Sequence, residues 1–296
     1  MKIAFGMIVF NGEYVLRQCL ESAYPFASQI LIAEGPVQYW QDQGYTTSTD
    51  GTNEILESFP DPENKITVVH GQYFEKDEQC NAYMPYLADD IDYLWQIDSD
   101  EMYLATDIEK MIQILEEEKY TSVDVKSASF YGGLDRYIGG FERKKGNFYR
   151  IFKVYPGSKW LTHRPPTMVH VSGQSQLVPR HLDADTLYEQ HGIQMFHYSY
   201  VFPHQVKAKL SYYKAKVSMG KCVDNYYERI YLPWVLGNKQ ERRFIEHLNN
   251  GVHEFKPQYR EHTRTEPFEG DHPRAIRESL SEIKERIENE LQEFRE

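Results

Sequence analysis

The chain has 296 residues, room for one large domain or two small ones at roughly 150 residues each. Hydrophobic residues make up 41% and charged residues 26%, the balance of a soluble globular fold, and no apolar run approaches the roughly 18 residues needed to span a bilayer. A formal net charge of −12 excludes the basic footprint of a non-specific nucleic-acid binder but leaves phosphorylated ligands open, because a bound metal reverses the local field.

The opening residues Met1-Lys2-Ile3-Ala4-Phe5-Gly6 show no signal-peptide pattern and read as a buried strand, so a cytoplasmic protein is expected. Cys19, Cys80 and Cys222 are odd in number and widely spaced, which predicts reduced thiols.

Residues 2–10 form an apolar run of strand length, closed by the turn pair Asn11-Gly12. From Glu13 a helix is predicted, with Val15, Leu16, Cys19, Leu20 and Ala23 on one face. Residues 29–33 read as a second strand ending on Glu34-Gly35-Pro36, and a polar loop runs on to Asp50-Gly51. A helix over 52–59 turns Ile55, Leu56 and Phe59 inward, and a third strand covers 66–70. A helix is predicted over 76–88 and a fourth strand over 93–97, followed directly by Asp98-Ser99-Asp100-Glu101. Asp107 reads as the N-cap of a helix carrying Ile108, Met111, Ile112 and Leu115. Strands alternating with helices predict an α/β fold with a mostly parallel sheet covered on both faces.

The second half changes character. Residues 123–130 and 148–154 read as strands of a smaller mixed or antiparallel segment, and 200–219 as a helix broken at Pro203. Residues 237–271, rich in charge and turn formers, read as a linker or irregular cap. From Pro273 a last helix carries Ile276, Leu280, Ile283, Ile287, Leu291 and Phe294 in one narrow apolar seam. Docking of this seam onto its own domain is the main reading, and a homodimer contact the minor one. The expected division is 1–235 as the main domain, split at 120/121 into nucleotide and acceptor halves, with 236–296 as a helical extension.

In an open α/β sheet, ligands gather at the carboxyl ends of the strands. There Asp98 and Asp100, two apart, converge on one place. A hard divalent ion takes such oxygens together with phosphate oxygens and water, and a metal bridging a diphosphate neutralises charge on the leaving group. The same end of the sheet carries Phe10 and Asn11 after the first strand and Glu34 after the second. Phe10 suits the backing of a nucleobase, and a carboxylate suits ribose hydroxyls or a base imide; a turn Asn and a surface Glu are the plain alternatives. Asn81 has the same two readings.

Together these segments resemble a family-2 glycosyltransferase of the GT-A, Rossmann-like fold. The resemblance rests on residues 3–20, on Ser48-Thr49-Asp50-Gly51-Thr52, on Lys76-Asp77-Glu78-Gln79-Cys80-Asn81, on Asp98-Ser99-Asp100-Glu101, on Tyr149-Arg150-Ile151-Phe152-Lys153 and on Phe196-His197-Tyr198 followed by Lys207. It implies a nucleotide-sugar donor, UDP-sugar foremost, a Mn2+ or Mg2+ ion, inversion at the anomeric carbon, and a glycan, lipid or small-molecule acceptor. It further implies Glu34, Asp98 and Ser99 at the donor, Asp100 as direct metal ligand beside Asp98, and His197 as a third ligand or a packed histidine. Two departures stand out. The loop between Glu34 and Ser48 is long, and the acceptor-side His-Glu of many relatives is replaced by His163-Arg164. A base for the acceptor hydroxyl is then sought among Asp135, Glu142 and Asp183, with Asp135 in the turn Gly132-Gly133-Leu134-Asp135 preferred. Arg164 or Arg150 suits a diphosphate or an acidic acceptor.

Three rivals remain. A haloacid-dehalogenase-type phosphatase requires Thr or Val where Met102 stands. A glycosidase requires carboxylates about 5–10 Å apart across a cleft, which Asp98 and Asp100 do not suggest. A nucleotide- or sugar-binding protein without activity is kept open by the missing Glu.

Overall fold

The computed structural model describes residues 1–170, 180–216, 222–256 and 263–295. Through residue 126 the chain runs β1 (Ile3–Val9), α1 (Glu13–Ala23), β2 (Gln29–Glu34), α2 (Gln38–Gln41), α3 (Thr52–Ser58), β3 (Ile66–His70), α4 (Lys76–Tyr83), β4 (Tyr93–Gln96), β5 (Glu101–Met102), α5 (Ala105–Glu118) and β6 (Ser122–Val125). There follow β7 (Ser127–Tyr131), β8 (Arg136–Ile138), α6 (Gly140–Lys145), β9 (Phe148–Lys153), the hairpin β10 (Lys159–His163) and β11 (Pro166–Val169), β12 (His181–Leu182) and α7 (Ala184–His191). The last part holds β13 (Met195–Tyr200), α8 (Pro203–Lys216), a π-helical turn (Tyr227–Tyr231) running into α9 (Leu232–Leu236), α10 (Lys239–Leu248), β14 (Thr265–Pro267), α11 (Arg274–Glu278) and α12 (Leu280–Gln292). Among the described residues no helix is long and apolar enough to cross a membrane.

Two compact units emerge, each discontinuous in sequence. The first comprises Met1–Lys126, Asn147–Met195 and Pro273–Ala275, and the second Ser127–Gly146, Phe196–His272 and Ile276–Glu296. The expected boundary at 235/236 falls inside the second unit, where Trp234 Nε1 donates to Glu246 Oε1 at 2.9 Å across that boundary.

The sheet of the first unit has the order β12-β6-β9-β4-β1-β2-β3. β1 lies parallel to β2 and β4, and β2 parallel to β3. Every residue of β1 is buried, as a strand covered on both faces requires, and α4 packs on β1 and β2. The α/β class and the mostly parallel sheet are as the sequence predicts. β9 departs from the expected layout. It enters this main sheet, antiparallel between β4 and β6, rather than a side segment.

The run read as one strand over 123–130 is two. β6 ends at Val125 and β7 starts at Ser127 in the other unit. Lys126 marks the break, its buried ammonium held by Asp185 at 2.8 Å and Asn147 at 3.1 Å. Apolar continuity cannot reveal such a change of sheet.

Helix ends differ where Pro and Asp carry two meanings. The helix expected over 76–88 stops at Tyr83 and gives way to a 3-10 turn, Met84–Tyr86, at Pro85, since Pro lacks the N–H and disfavours helical geometry before it. α5 starts at Ala105 with Leu104 as N-cap, so Asp107 sits inside the first turn, where a carboxylate also favours the helix dipole. α8 begins at Pro203, as Pro at a first helical position allows. The preceding residues to Tyr200 are strand, and 217–219 of the expected helix lie outside the described residues.

In the second unit the strand order runs β14-β8-β7-β13, with β7–β8 and β8–β14 antiparallel. Buried Phe130, Phe196 and Tyr198 pack with half-buried Phe268 and His272 in one ring cluster there. The stretch expected as a linker over 237–271 holds α10 and β14. Asn238 and Glu241 close a reciprocal capping box at the start of α10. The final seam divides at Ser279, and Ile283, Ile287 and Leu291 are buried where α12 packs on α8, as the docking reading requires.

Candidate active site

The carboxyl ends of β1, β2 and β4 in the first unit hold most of the residues singled out from the sequence. After β1, Asn11 turns the chain with φ 48°, a conformation Asn tolerates. Its N–H donates to Ser48 Oγ at 2.9 Å, and its Oδ1 accepts from Thr49 N at 2.7 Å. Gly12 N donates to Thr52 Oγ1, Glu13 N to Asp50 Oδ2, and Gly51 N to Glu13 Oε2 at 2.6 Å. The Ser48-to-Thr52 loop is thereby fastened along the β1–α1 turn. Both sides of this fastening are polar groups that would otherwise need water.

Glu34 ends β2 and is 1% exposed. Oε1 accepts from Ser48 N at 2.8 Å, and Oε2 faces Thr47 Oγ1 at 3.2 Å and His70 Nδ1 at 3.0 Å. Its carboxylate thus anchors the loop from beneath. Beside it the backbone leaves no room for a side chain. Gly35 has φ 139°, and a Cβ there would meet Gly71 O at 1.8 Å, so the ends of β2 and β3 meet only because residue 35 is Gly.

The long polar loop after β2 holds α2 and packs its aromatic side chains: Trp40 lies against Phe10 (ring centroids 5.7 Å apart), Tyr45 against Phe10 (5.5 Å) and Tyr39 against Trp40 (4.8 Å). All four rings are half-buried. The signal was present as three aromatics in a short polar stretch, which a soluble loop seldom carries without packing them.

Asn81 on α4 is committed to the hairpin. Its Nδ2 donates to Trp160 O at 2.8 Å, and its Oδ1 accepts from Trp160 N at 2.9 Å. This matches an amide side chain to a backbone amide and ties β10 to α4.

After β4 the chain turns through Asp98, Ser99 and Asp100, all half-exposed, into buried Glu101. Glu101 N donates to Asp98 O at 3.0 Å, and Asp98 N donates to Glu101 Oε2 at 3.1 Å. Ser99 lies against the β1–α1 turn, since a Cβ on Gly12 would meet Ser99 Oγ at 2.7 Å. Arg150, expected as a phosphate or acceptor contact, is buried and serves this turn instead. Its Nε donates to Glu101 Oε2 at 2.8 Å, its Nη2 donates to Glu101 Oε1, and Nη2 lies 3.6 Å from Asp98 Oδ2. Burial works against its charge, but Glu101 and then Asp98 outweigh that and raise the guanidinium above its ordinary range. Glu101 was visible in the acidic run, yet nothing in the sequence shows that it faces inward toward Arg150.

Among the described residues no three His, Cys, Asp or Glu side chains are grouped as metal ligands, the expected Asp98, Asp100 and His197 set included. His197 lies half-buried on β13. Asp98 and Asp100 still offer hard oxygen donors of the kind Mg2+ and Mn2+ take, with the other positions left to phosphate and water. Asp183, a candidate base, is the N-cap of α7. Its carboxylate accepts from Thr186 N at 2.9 Å and Thr186 Oγ1 at 2.7 Å, bonds that lower its pKa. The Glu142 side chain lies outside the described residues. Asp135 is exposed on its turn in the second unit, with its backbone O accepting from Phe268 N at 2.8 Å.

His163, on β10, was not singled out. Burial first, then Lys76, Arg150 and Arg164, hold its imidazole down to about 3 against the opposing pull of Asp98. Because the folded value lies below the ordinary 6.5, the unfolded chain takes up this proton first. Stability from this group is full above pH 6.5 and is lost as the pH falls toward 3. His163→Gln is expected to shrink the drop in urea midpoint between pH 7 and pH 5. An unchanged drop would show that His163 titrates normally.

Residues 46–172 match the profile of glycosyl transferase family 2. Somewhat less than half of the chain is thus similar to that family. That segment contains the Ser48-to-Thr52 loop, α4, Asp98 to Glu101, β9 and the β10–β11 hairpin, while Phe10, Asn11, Glu34 and His197 lie outside it. Among solved structures, S. aureus TarS 1-349 is similar at 16% identity over 44% of this chain and 36% of that one, with a TM-score of 0.32. The same protein in complex with UDP-GlcNAc gives 16% identity, 44% and 35% coverage and a TM-score of 0.32. A 4-diphosphocytidyl-2C-methyl-D-erythritol synthase from Anaerococcus prevotii gives 11% identity over 51% of this chain and 70% of that one, with a TM-score of 0.31. The chain therefore spans about a third of the length of the TarS structures it matches. No curated protein matches it.

Proposed function

We propose that this glycosyltransferase segment moves a sugar from a nucleoside-diphosphate sugar, UDP-sugar foremost, to an acceptor hydroxyl with inversion. The observation that carries the reading is the half-exposed Asp98-Ser99-Asp100 turn at the carboxyl end of β4. It is braced from inside by Glu101 and Arg150 and lies within the family match. In this reading Phe10, with Trp40 and Tyr45, supplies the apolar backing for the base. Glu34 and Asn11 hold the Ser48-to-Thr52 loop that borders the donor, and Asn81 holds the hairpin.

Asp100, assisted by Asp98, would hold a Mn2+ or Mg2+ ion shared with the donor diphosphate. Such an ion offsets negative charge on the departing nucleoside diphosphate. Asp135 is the proposed acceptor of the hydroxyl proton.

Titration of UDP and GDP by calorimetry, with and without Mn2+, tests the donor half. Mn2+-dependent binding of one of them is expected, and binding of neither overturns the proposal. Binding without turnover, hydrolysis included, across a panel of sugar nucleotides would assign the chain to the nucleotide-binding rival instead.

A further inference from the structure

α10 is built inside out. Its one buried residue is an acid, Glu246, whose carboxylate accepts from Trp234 Nε1 at 2.9 Å and from Thr265 Oγ1 at 2.6 Å. Its largest apolar side chains face the other way, with Phe244 64% and Leu248 67% exposed. A soluble helix normally turns its apolar stripe to the core, so the packing of the second unit does not account for these two residues. Phe244 also borders a surface groove of about 600 Å3 lined by Pro233, Leu236 and Ile245 together with Gln240 and Glu241, so its ring joins further apolar side chains.

Basic side chains predominate around this face, with Glu241 the acidic exception. Side chains four apart stack along a helix, so Lys239, Arg243 and His247 form a ridge beside the ridge of Gln240, Phe244 and Leu248. All three basic residues are exposed. The acidic Glu241 also lines the groove, but its carboxylate is engaged at the helix start, where Oε2 accepts from Asn238 N at 2.7 Å. In a chain of net charge −12, a cationic ridge flanking exposed Phe and Leu is a local reversal. Anionic headgroups complement the ridge, and the acyl boundary accommodates the two apolar side chains.

We infer that α10 docks the protein flat on an anionic lipid bilayer, with Phe244 and Leu248 inserted at the headgroup–acyl boundary and Lys239 and Arg243 on the headgroups. The surface is separate from the donor residues and does not depend on their assignment.

Co-sedimentation of the full chain with phosphatidylcholine vesicles, with and without added phosphatidylglycerol, is the test. Binding is expected only with the anionic lipid and should weaken with added salt. Lys239→Gln with Arg243→Gln should lower partitioning about twenty-five-fold, from about fivefold per basic residue. Phe244→Glu with Leu248→Glu should lower it at least about a hundredfold. Both pairs are solvent-facing, and unchanged circular dichroism shows that the variants fold. Failure of the parent chain to bind anionic vesicles overturns the inference. So does a parent that is dimeric by sedimentation velocity, binds no vesicle and becomes monomeric in the Phe244/Leu248 variant, which would give the face to a second copy.

Discussion

Asp100→Asn is expected to abolish Mn2+-dependent binding of a nucleoside diphosphate and to reduce donor turnover by about 10²–10³-fold, the usual loss when one preorganised charge-stabilising group is removed. The substitution keeps the shape of the side chain and one oxygen but removes the charge that a hard cation selects. Asp100 is half-exposed, and the bonds that shape its turn run through Asp98 and Glu101. The variant should therefore fold and melt like the parent. Calorimetry with the nucleotide, in Mn2+ and in EDTA, separates the outcomes. A variant that binds the nucleotide as tightly as the parent in Mn2+ would remove Asp100 from the metal site. A loss equal in both media would make Asp100 a direct nucleotide contact.

The second large effect concerns the brace beneath that turn. Arg150→Met is expected to destabilise the first unit by about 3–5 kcal/mol, because it leaves Glu101 as a buried charge with no cation. The cause is the stranded carboxylate more than the lost attraction, so the paired change Arg150→Met with Glu101→Leu should recover most of the stability. Donor binding should not recover with it, since Asp98 N loses its bond to Glu101 Oε2 and the turn loses its brace. Urea unfolding measures the first quantity and nucleotide calorimetry the second. A cost below about 1 kcal/mol for the single change, the range of an exposed pair, would mean that the two side chains are not buried together in solution.

The parts of this structure that were legible in the sequence are those where one residue type has one local meaning. β1 is an uninterrupted apolar run and β4 with Ile97 one broken only by Gln96, and Asn11 and the Asp98-Ser99-Asp100 turn follow directly from where those runs stop. The illegible parts depend on partners far along the chain. Arg150 reads equally well as a ligand contact or as the mate of a buried acid, and only the antiparallel insertion of β9 beside β4 decides between them. Lys126 reads as a surface lysine inside a strand, although it is buried against Asp185 and Asn147. α10 falls in a stretch that reads as a linker or irregular cap because its polarity is reversed, which defeats any rule that sends apolar residues inward. Tyr39, Trp40 and Tyr45 were passed over because the segment around them is polar, although together with Phe10 they form an aromatic cluster at the carboxyl end of the sheet.

The position of β9 also bears on how the protein is made. A chain leaving the ribosome completes β4 and then β6, but the strand that joins them arrives only after the Ser127–Gly146 excursion into the second unit. Until then both strands present open backbone edges, the kind that recruit neighbouring chains. Closing the gap requires pairing Tyr93 with Lys153, a long-range contact of the sort that slows folding. The interval between synthesis of β6 and of β9 is therefore when this chain most needs a chaperone, and products that stop short of Phe148 should aggregate where longer ones fold.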